Sequence, residues 1–319
     1  MIRYFVDSFP LSIKHLAFSR ISLHFHIISV IREATSVNPD LRFNKKTDWA
    51  LILGASSGFG GATAVELAKH GMNICGVHLD RAATMANVER IKSEIEAAGV
   101  KALFFNVNAA DEQKRNEVLD GLRKELDASP GAFVRVLLHS LAFGTLKAYI
   151  APNPADMMTK AQVEMTMDVM ANSVVYWTQG AYSRRMLKKG SRIYGMTSSG
   201  GRSQLPSYGA VSAAKAALES HLRQLNMEMA MEGITAMAIM AGVTHTPAQQ
   251  KIAHADTMLD IARAKNPHNR LTTPQDIAKA IVLLTHEYGD FIGGNVVSVD
   301  GGEETVAYVG QKNVRDMGK

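Results

Sequence analysis

A tyrosine and a lysine at a fixed spacing are the side chains of this sequence best suited to move a proton. Tyr208 precedes Lys215 by seven residues, in Tyr-Gly-Ala-Val-Ser-Ala-Ala-Lys. A free phenol has a pKa near ~10, and a neighbouring ammonium group favours its phenolate form, so the pair could transfer a proton. Seven residues make about two helical turns, which predicts Tyr208 at or before the start of a helix that carries Lys215.

A glycine-rich turn is the second candidate for chemistry. The segment Gly-Ala-Ser-Ser-Gly-Phe-Gly at 54–60 follows an apolar run and precedes a helical pattern. Glycines at such a turn let the backbone approach a pyrophosphate group, which rests on the helix N-terminus. The turn therefore predicts a dinucleotide site. Its expected contacts are Gly54, Ser56, Ser57, Gly58, Phe59 and Gly60.

The end of the second predicted strand should select the cofactor. It reads His-Leu-Asp-Arg at 78–81. An acid there favours a free ribose 2′-hydroxyl and hence NAD, whereas an arginine favours a 2′-phosphate and hence NADP. Ser57 is not basic, which removes one common phosphate contact. We expect NAD(P)H, with a lean to NADH. The expected contacts are Leu79, Asp80 and Arg81 at the ribose, and Asn106 and Val107 at the adenine.

The elements that must position these groups alternate along the chain. Apolar runs typical of buried strands occur at 49–53, 73–78, 101–107, 133–139, 192–197, 234–240 and 295–299. Helical patterns occur at 60–70, 83–98, 111–127, 162–188, 208–232 and from Thr273 onward. This alternation favours right-handed βαβ units. We expect an α/β fold, a Rossmann-type doubly wound seven-stranded parallel sheet, as a single domain over residues 47–303 with a tail at 304–319.

These motifs together resemble the short-chain dehydrogenase/reductase family over about residues 48–302. The glycine turn, the tyrosine and lysine, and the ending Val-Asp-Gly-Gly at 299–302 carry the resemblance. Val211 stands four residues before Lys215, where common members have the tyrosine. The longer Tyr-x6-Lys spacing, and His-Ser-Leu-Ala-Phe-Gly at 139–144, resemble the enoyl-acyl-carrier-protein reductase branch. The asparagine of common members would align near Met170 and is absent.

The resemblance implies a reaction. Tyr208 would stabilise the enolate formed when a trans-2-enoyl thioester, carried by acyl carrier protein, is reduced in fatty-acid synthesis. Lys215 would order cofactor and tyrosine, and Ser198 would assist. Many enoyl reductases have a tyrosine where Ser198 stands, which leaves a carbonyl, 3-oxoacyl or hydroxysteroid-type reductase open as an alternative. A non-catalytic nucleotide-binding protein is the second alternative.

The resemblance also implies further contacts beyond the sixth strand. The segment Ala-Gly-Val-Thr-His-Thr at 241–246 is similar to the family's Ala-Gly-Pro-Ile-x-Thr, with Val243 in place of the usual proline. A substrate lid is then expected at about 245–272. The remaining cofactor contacts that the resemblance implies are His139, Ser140, Leu141, Lys215, Gly242, Val243, Thr244 and Thr246.

Composition limits the other classes of function. The formal net charge is +5, and residues 1–46 hold seven basic and three acidic residues, so the rest of the chain is nearly neutral and gives no reason to expect nucleic-acid binding. No apolar run reaches the ~18–20 residues of a membrane helix. One cysteine excludes a cysteine-based zinc site, and no histidines have metal spacing, so we expect no metal.

Three expectations concern the whole molecule. Residues 1–46 are expected to be a disordered extension or sequence added by an upstream start codon, with a targeting segment or an oligomer-binding arm as alternatives. Family members commonly pair two long helices between subunits, which here would be those at 162–188 and 208–232, so we expect a homotetramer, or at least a dimer. A cytoplasmic location is expected.

Overall fold

A seven-stranded parallel sheet forms the centre of the part of the chain that the computed structural model describes, residues 41–252 and 255–307. The strand order is β3-β2-β1-β4-β5-β6-β7. The order reverses between β1 and β4, and in such sheets ligands bind beyond the carboxyl ends of the strands at that point. The strands are β1 (Asp48–Leu53), β2 (Asn73–His78), β3 (Ala102–Asn106), β4 (Phe133–His139), β5 (Arg192–Ser198), β6 (Thr235–Ala241) and β7 (Val296–Val299).

Helices cover both faces of the sheet, as the alternating pattern predicts. They are α1 (Gly58–Lys69), α2 (Met85–Ala97), α3 (Glu112–Asp127), α4 (Lys160–Met167), α5 (Ser173–Ser183), α6 (Gly209–Met229), α7 (Ala255–Lys265) and α8 (Pro274–Thr285). The structure explains why β1 is apolar after Asp48, because every residue of the strand is buried. Trp49 and Leu51 point into one core cluster, whereas Ala50 and Ile52 point into the other. The predicted doubly wound Rossmann-type fold is confirmed.

The helix predicted at 162–188 is interrupted and ends early. A π-helical turn, Asp168–Asn172, separates α4 from α5. The Ser173 hydroxyl donates to the Val169 carbonyl oxygen at 2.9 Å, so a side chain binds a carbonyl of the π turn. The chain leaves the helix after Ser183, because Arg185 has φ +55°, outside the helical region. Met186 is nevertheless buried in the core beyond the helix end.

Two other boundaries differ from the sequence-based expectations. The predicted lid at 245–272 contains a helix, α7, which the sequence analysis does not predict. At the other end, residues before Thr47 pack on the body, since Phe43 N donates to the His70 carbonyl at 2.7 Å. The expectations for residues 1–40 and for most of the tail, 308–319, lie outside the described residues. No helix in the described part is long and apolar enough to cross a membrane.

Candidate active site

A cavity of about 220 Å³ opens at the carboxyl ends of the central strands. It joins the segments after β4, β5 and β6 to the first turns of α1 and α6. The structure brings ten of the predicted site residues to its wall. They are Phe59, Ser140, Leu141, Ser198, Tyr208, Lys215, Gly242, Val243, Thr244 and Thr246. We call Ser198, Tyr208, Lys215 and the turn at 241–246 the catalytic end of the site.

The other predicted site residues do not line this cavity. Their places are the glycine turn, the ends of β2 and β3, and the end of β4. They are Gly54, Ser56, Ser57, Gly58, Gly60, Leu79, Asp80, Arg81, Asn106, Val107 and His139. We call Leu79, Asp80, Arg81, Asn106 and Val107 the ribose end.

Tyr208 occupies the cap position immediately before α6, as its spacing from Lys215 predicts. Its ring lies against Gly200, where an added Cβ would come within 2.7 Å of the ring carbon Cε1. Burial raises the pKa of the Tyr208 phenol, and a hydrogen bond with the Ser198 side chain offsets part of that rise. The phenol therefore stays protonated at neutral pH and can donate to an oxygen in the cavity.

Lys215 is buried, and its side chain reaches β5. Its Nζ donates to the Met196 carbonyl oxygen at 2.7 Å. Burial lowers the pKa of Lys215 to about 8, and the Glu219 carboxylate one helical turn later opposes that fall. Burial is the largest influence on the Tyr208 phenol, so its pKa lies above the ordinary value and not below it.

His139 lies behind the cavity wall rather than in it. The side chain is fully buried, and its Nε2 lies 2.8 Å from the Ser173 hydroxyl. That hydroxyl donates to Val169, so Nε2 is the donor and Nδ1 carries the lone pair. Burial, with the nearby Lys215 charge, lowers the pKa of His139 to about 3. A neutral His139 thus joins the end of β4 to Ser173 beside the π turn, and its contact with the cofactor stays a prediction.

The glycine turn has the shape that a pyrophosphate requires. Gly54 has φ +90°, and an added Cβ would lie 2.5 Å from the Ser140 carbonyl oxygen. At Gly60 an added Cβ would lie 2.1 Å from the Gly54 carbonyl oxygen. Gly58, with φ +53°, faces Thr246 across 3.8 Å from its Cβ position to Cγ2. The residues present therefore fit a dinucleotide, whose phosphates would rest on this turn.

The ribose end is held by hydrogen bonds among its residues and with neighbouring side chains. His78 Nδ1 lies 3.0 Å from Asp80 Oδ2. Burial raises the pKa of the Asp80 carboxyl, but hydrogen bonds from Thr84, Ser56 and His78 outweigh it and leave the pKa below its ordinary value. Asp80 is therefore ionised, and it lies just after the end of β2, as predicted.

The remaining residues of the ribose end have different surroundings. Asn106 binds both backbone groups of Asp80, each at 3.0 Å, so its side-chain amide shapes the turn. Leu79 and Arg81 are exposed. The Arg81 side chain has no hydrogen bond or ion pair with any described residue. Val107 packs on the core.

The substrate side of the cavity is mostly apolar. Val211 and Met170 pack on Gly144, where an added Cβ would lie 3.0 Å from Val211 Cγ2 and 2.8 Å from Met170 Sδ. Val211 thus holds an apolar position in the wall, one helical turn from Lys215. Other apolar side chains of the wall include Phe143, Leu146, Met196, Ile252 and Met258.

A second cation besides Lys215, Lys251, lines this cavity beside its apolar wall. Three other basic residues of the lid each pair with an acid. The pairs are Arg263 with Asp260 at 3.2 Å, Lys265 with Glu304 at 3.5 Å and Arg270 with Asp276 at 2.6 Å. Lys251 has no such partner among the residues that the structure describes.

Three residues that sequence reasoning missed support the site from behind. Asn87 on α2 donates to the Ser56 carbonyl of the glycine turn. Glu219 accepts a hydrogen bond from Thr197 Oγ1 at 2.7 Å beside Lys215. Glu303 accepts one from Val243 N at 3.3 Å. Of these three residues, only Glu219 could have been found from the sequence, because a residue four positions after Lys215 lies on the same helix face.

The comparisons with known proteins agree with this geometry. The family model described as enoyl-(acyl carrier protein) reductase matches residues 54–304. The chain therefore belongs to this branch of the short-chain dehydrogenase/reductase family and is an oxidoreductase of that family.

Individual relatives are distant and differ in activity. An NADPH-dependent aldehyde reductase-like protein, chloroplastic, of Arabidopsis thaliana is 26% identical over 79% of this chain and 93% of its own length. An enoyl-[acyl-carrier-protein] reductase [NADH] of Buchnera aphidicola is 27% identical over 64% of this chain and 69% of its own length. The crystal structure of a dehydrogenase/reductase from Sinorhizobium meliloti superposes with a TM-score of 0.70 at 25% identity, covering 83% of this chain and 97% of that one.

Proposed function

We propose that this chain is a nicotinamide-dependent reductase of trans-2-enoyl thioesters. The observation that carries the proposal is the position of the acid. Tyr208 caps α6, whereas the position four residues before Lys215 holds Val211 in an apolar wall. A reduced nicotinamide, when bound, supplies a hydride. In an enoyl thioester the accepting carbon and the oxygen that gains charge are separated by a conjugated double bond, so the acid must stand farther from the hydride than in ketone reduction.

Each residue of the catalytic end has a role in this proposal. Tyr208 donates its phenolic proton toward the thioester oxygen as charge develops there. Ser198 accepts from or donates to the phenol and orients it. Lys215, whose Nζ donates to the Met196 carbonyl, would place a positive charge in the cavity wall and bind a ribose hydroxyl of the cofactor.

The carbonyl reductase is retained as a second candidate, because a specific observation favours it. The Ser198 hydroxyl is a hydrogen-bond partner of Tyr208, which is the arrangement that a ketone oxygen would also use. The aldehyde reductase-like relative covers more of this chain than the enoyl reductase relative does.

The cofactor and the acyl carrier form part of the same proposal. The ionised Asp80 would repel a 2′-phosphate, which supports NADH, while the unpaired Arg81 is the group that NADPH would need. Lys251 beside an apolar wall suits an acyl chain attached to an anionic carrier, such as the phosphate-bearing arm of acyl carrier protein. The expected cytoplasmic location also stays a proposal.

Assembly as a homotetramer is proposed from two helices. Exposed apolar side chains lie along α5 and α6, including Tyr176 and Met227, which are 38% and 65% exposed. Burial of such side chains between copies would remove apolar surface from water. Light scattering at micromolar concentration should give four subunits, and a monomer would contradict this part of the proposal.

The reaction is tested by oxidation of NADH and NADPH with crotonyl-CoA and with acetoacetyl-CoA in parallel. We expect faster turnover of the crotonyl thioester. Tyr208→Phe should lower that rate by roughly 10²–10⁴-fold, the usual effect of removing a positioned acid. Tyr182→Phe is the matched control, because Tyr182 is exposed and donates to Glu232 away from the cavity.

Three other outcomes are informative. Efficient reduction of acetoacetyl-CoA with none of crotonyl-CoA would favour the carbonyl reductase. Cofactor binding without turnover of either thioester, or of simple ketones, would favour a nucleotide-binding protein without catalysis. Equal rates for Tyr208→Phe and the unaltered chain would remove Tyr208 from the reaction.

A further inference from the structure

A buried carboxyl group lies directly behind the turn that follows β6. Glu303 is 2% exposed and begins a short 3-10 turn, Glu303–Thr305, after β7. Its Oε1 accepts a hydrogen bond from the backbone N–H of Val243 at 3.3 Å. Val243 lines the cavity and Glu303 does not. Any effect of Glu303 on a ligand must therefore pass through the turn.

The carboxyl group is packed closely against that turn. An added Cβ on Gly242 would lie 3.0 Å from Glu303 Oε2 and 2.4 Å from Thr272 Oγ1. Asp300 holds Glu303 in this place, since its two carboxyl oxygens accept the backbone N–H groups of Gly302 and Glu304, both at 3.0 Å. The second oxygen, Oε2, is buried without a hydrogen-bond partner among the described residues. A buried carboxyl with one free oxygen is costly, so its position calls for a compensating role.

The sequence supplies a reason for this carboxyl. Val243 stands where the resemblance leads one to expect proline, which has no backbone N–H. Valine brings a donor into a half-buried turn, and a donor left without a partner there would cost free energy. Glu303 is the acceptor that this donor has.

We infer that Glu303 is a positioning residue for the nicotinamide end of the cofactor, and that valine at 243 and glutamate at 303 are a matched pair. The carboxyl holds the Val243 N–H away from the cavity. The Val243 side chain and Thr244 are then presented to the cofactor in a fixed orientation. This inference rests on the nicotinamide cofactor of the proposed function, and not on the choice between an enoyl and a carbonyl substrate.

The protonation of Glu303 should make the hydrogen bond with Val243 depend on pH. Burial raises the pKa of Glu303 to about 7, and the hydrogen bond from Val243 opposes that rise. Facing groups are Asp300 and Glu304, which raise this pKa, Lys265, which lowers it, and His268 beside Gly301. An ionised acceptor makes the stronger hydrogen bond, so the turn should be held more firmly above about pH 7 than below it.

The test measures the dissociation constants of NADH and NADPH by calorimetry, without acyl substrate, together with the melting temperature. Glu303→Leu leaves the Val243 N–H unpaired and should weaken cofactor binding by about 10-fold, within the range for a lost buried partner. Val243→Pro with Glu303→Leu removes donor and acceptor together, and should bring the dissociation constant back to within about 3-fold of the unaltered chain, since the pair then leaves no orphan. If Glu303→Leu weakens cofactor binding equally in the chain with Val243 and in Val243→Pro, the pairing is wrong.

A second measurement remains decisive even if the proline variant does not fold. Glu303→Gln keeps an acceptor oxygen and removes the titration. Between pH 8 and pH 6 the unaltered chain should lose several-fold more cofactor affinity than Glu303→Gln does, as an ionised hydrogen bond becomes a neutral one. Lys215, whose pKa burial lowers to about 8, titrates in both chains and cancels from this comparison. Identical pH profiles for the two chains would overturn the inference.

Glu304→Gln is the matched control for that measurement. It removes the adjacent carboxylate, which pairs with Lys265 outside the cavity. It should keep the pH dependence of cofactor binding, with its midpoint at lower pH, because Glu304 raises the pKa of Glu303. The acyl substrate is absent from every titration, so failure of the enoyl proposal leaves these results unaffected. If the unaltered chain binds neither NADH nor NADPH, the inference is wrong.

Discussion

The two ends of the site satisfy their polar groups in different ways. At the ribose end, Asp80 accepts from neighbouring side chains, and Asn106 binds its backbone on both sides. Behind the catalytic end, His139 Nδ1 and Glu303 Oε2 are buried with no partner among the described residues. One end is completed by local hydrogen bonds, and the other keeps buried groups that have no partner among the described residues.

Ionisation follows the same division. The pKa of Asp80 lies below its ordinary value, so its charge is constant near neutral pH. Burial moves the pKa of Lys215 to about 8 and of Glu303 to about 7, and raises that of Tyr208. Shifted values of this kind are frequent where protons move. Substitutions at the catalytic end should therefore change rates strongly, and those at the ribose end should mainly change which cofactor is chosen.

After Tyr208→Phe, the largest effect is expected from Lys215→Met. Loss of the buried ammonium should lower kcat by about 10²-fold or more, because it orders the groups around the acid. Lys188→Met is the control, since Lys188 also donates to a backbone carbonyl, that of Gly131 at 2.7 Å, but on the surface. Steady-state kinetics and melting curves of both variants make the comparison. Similar kinetics for the two would show that Lys215 only stabilises the fold.

The glycine turn offers the next largest effect. Gly60→Ala should cost about 1–3 kcal/mol of stability, as overpacking does, and should weaken binding of either cofactor. A Cβ there meets the Gly54 backbone. In Gly61→Ala the Cβ meets the end of the Ile91 side chain at 2.9 Å, which can move, so this control should be much milder. Calorimetric titration and thermal melting would distinguish them, and equal effects would contradict a backbone cradle.

The fold could be predicted from the sequence because each strand carries its own signal. The run at 49–53 is apolar throughout because β1 is buried on both faces, and Tyr208 and Lys215 are close in the sequence. Other features depend on contacts between distant residues. Asn87 reaches Ser56 and Glu303 reaches Val243, and no local pattern announces either contact. Hence the positions of the residues in the site could be predicted, and the groups that hold them in place could not.

The interrupted helix and the lid show a second limit. The pattern at 162–188 is helical, but it contains no sign that Ser173 would bind the Val169 carbonyl beside the π turn. Helix α7 has a mixed polar sequence and few buried side chains, among them Leu259. Its buried side chains, Leu259 and Ala262, are three positions apart, a spacing that fits a helix but is too short a signal to predict one.

Cofactor choice should change with a smaller effect at the ribose end. Asp80→Ser removes a carboxylate beside the site of the 2′-phosphate and should raise the ratio of kcat/KM for NADPH over NADH by about 10-fold, equivalent to about 1.4 kcal/mol of repulsion. Arg81→Gln should move the ratio the other way. Steady-state kinetics with both cofactors give the ratio. A strong preference of the unaltered chain for NADPH would mean that Arg81 outweighs Asp80.

The smallest expected effect is a shift in the pH at which kcat falls. It depends on two residues of α6, Lys215 and Glu219. Burial lowers the pKa of Lys215 to about 8, and the Glu219 carboxylate keeps it from falling further. If the reaction needs the ammonium form, kcat should be constant at neutral pH and fall as the pH rises through about 8. Glu219→Gln removes the opposing charge, so the pKa of Lys215 drops and the fall should begin at lower pH.

The fold should tolerate this substitution, because a glutamine oxygen can still accept from Thr197 Oγ1, now 2.7 Å from Glu219. Glu228→Gln, an exposed change farther along α6, is the control and should leave the limb in place. Profiles of kcat against pH for the three chains give the midpoints. A limb that does not move in Glu219→Gln would mean that a different group titrates, and Tyr208 would be the next candidate, because its phenol must remain protonated to donate.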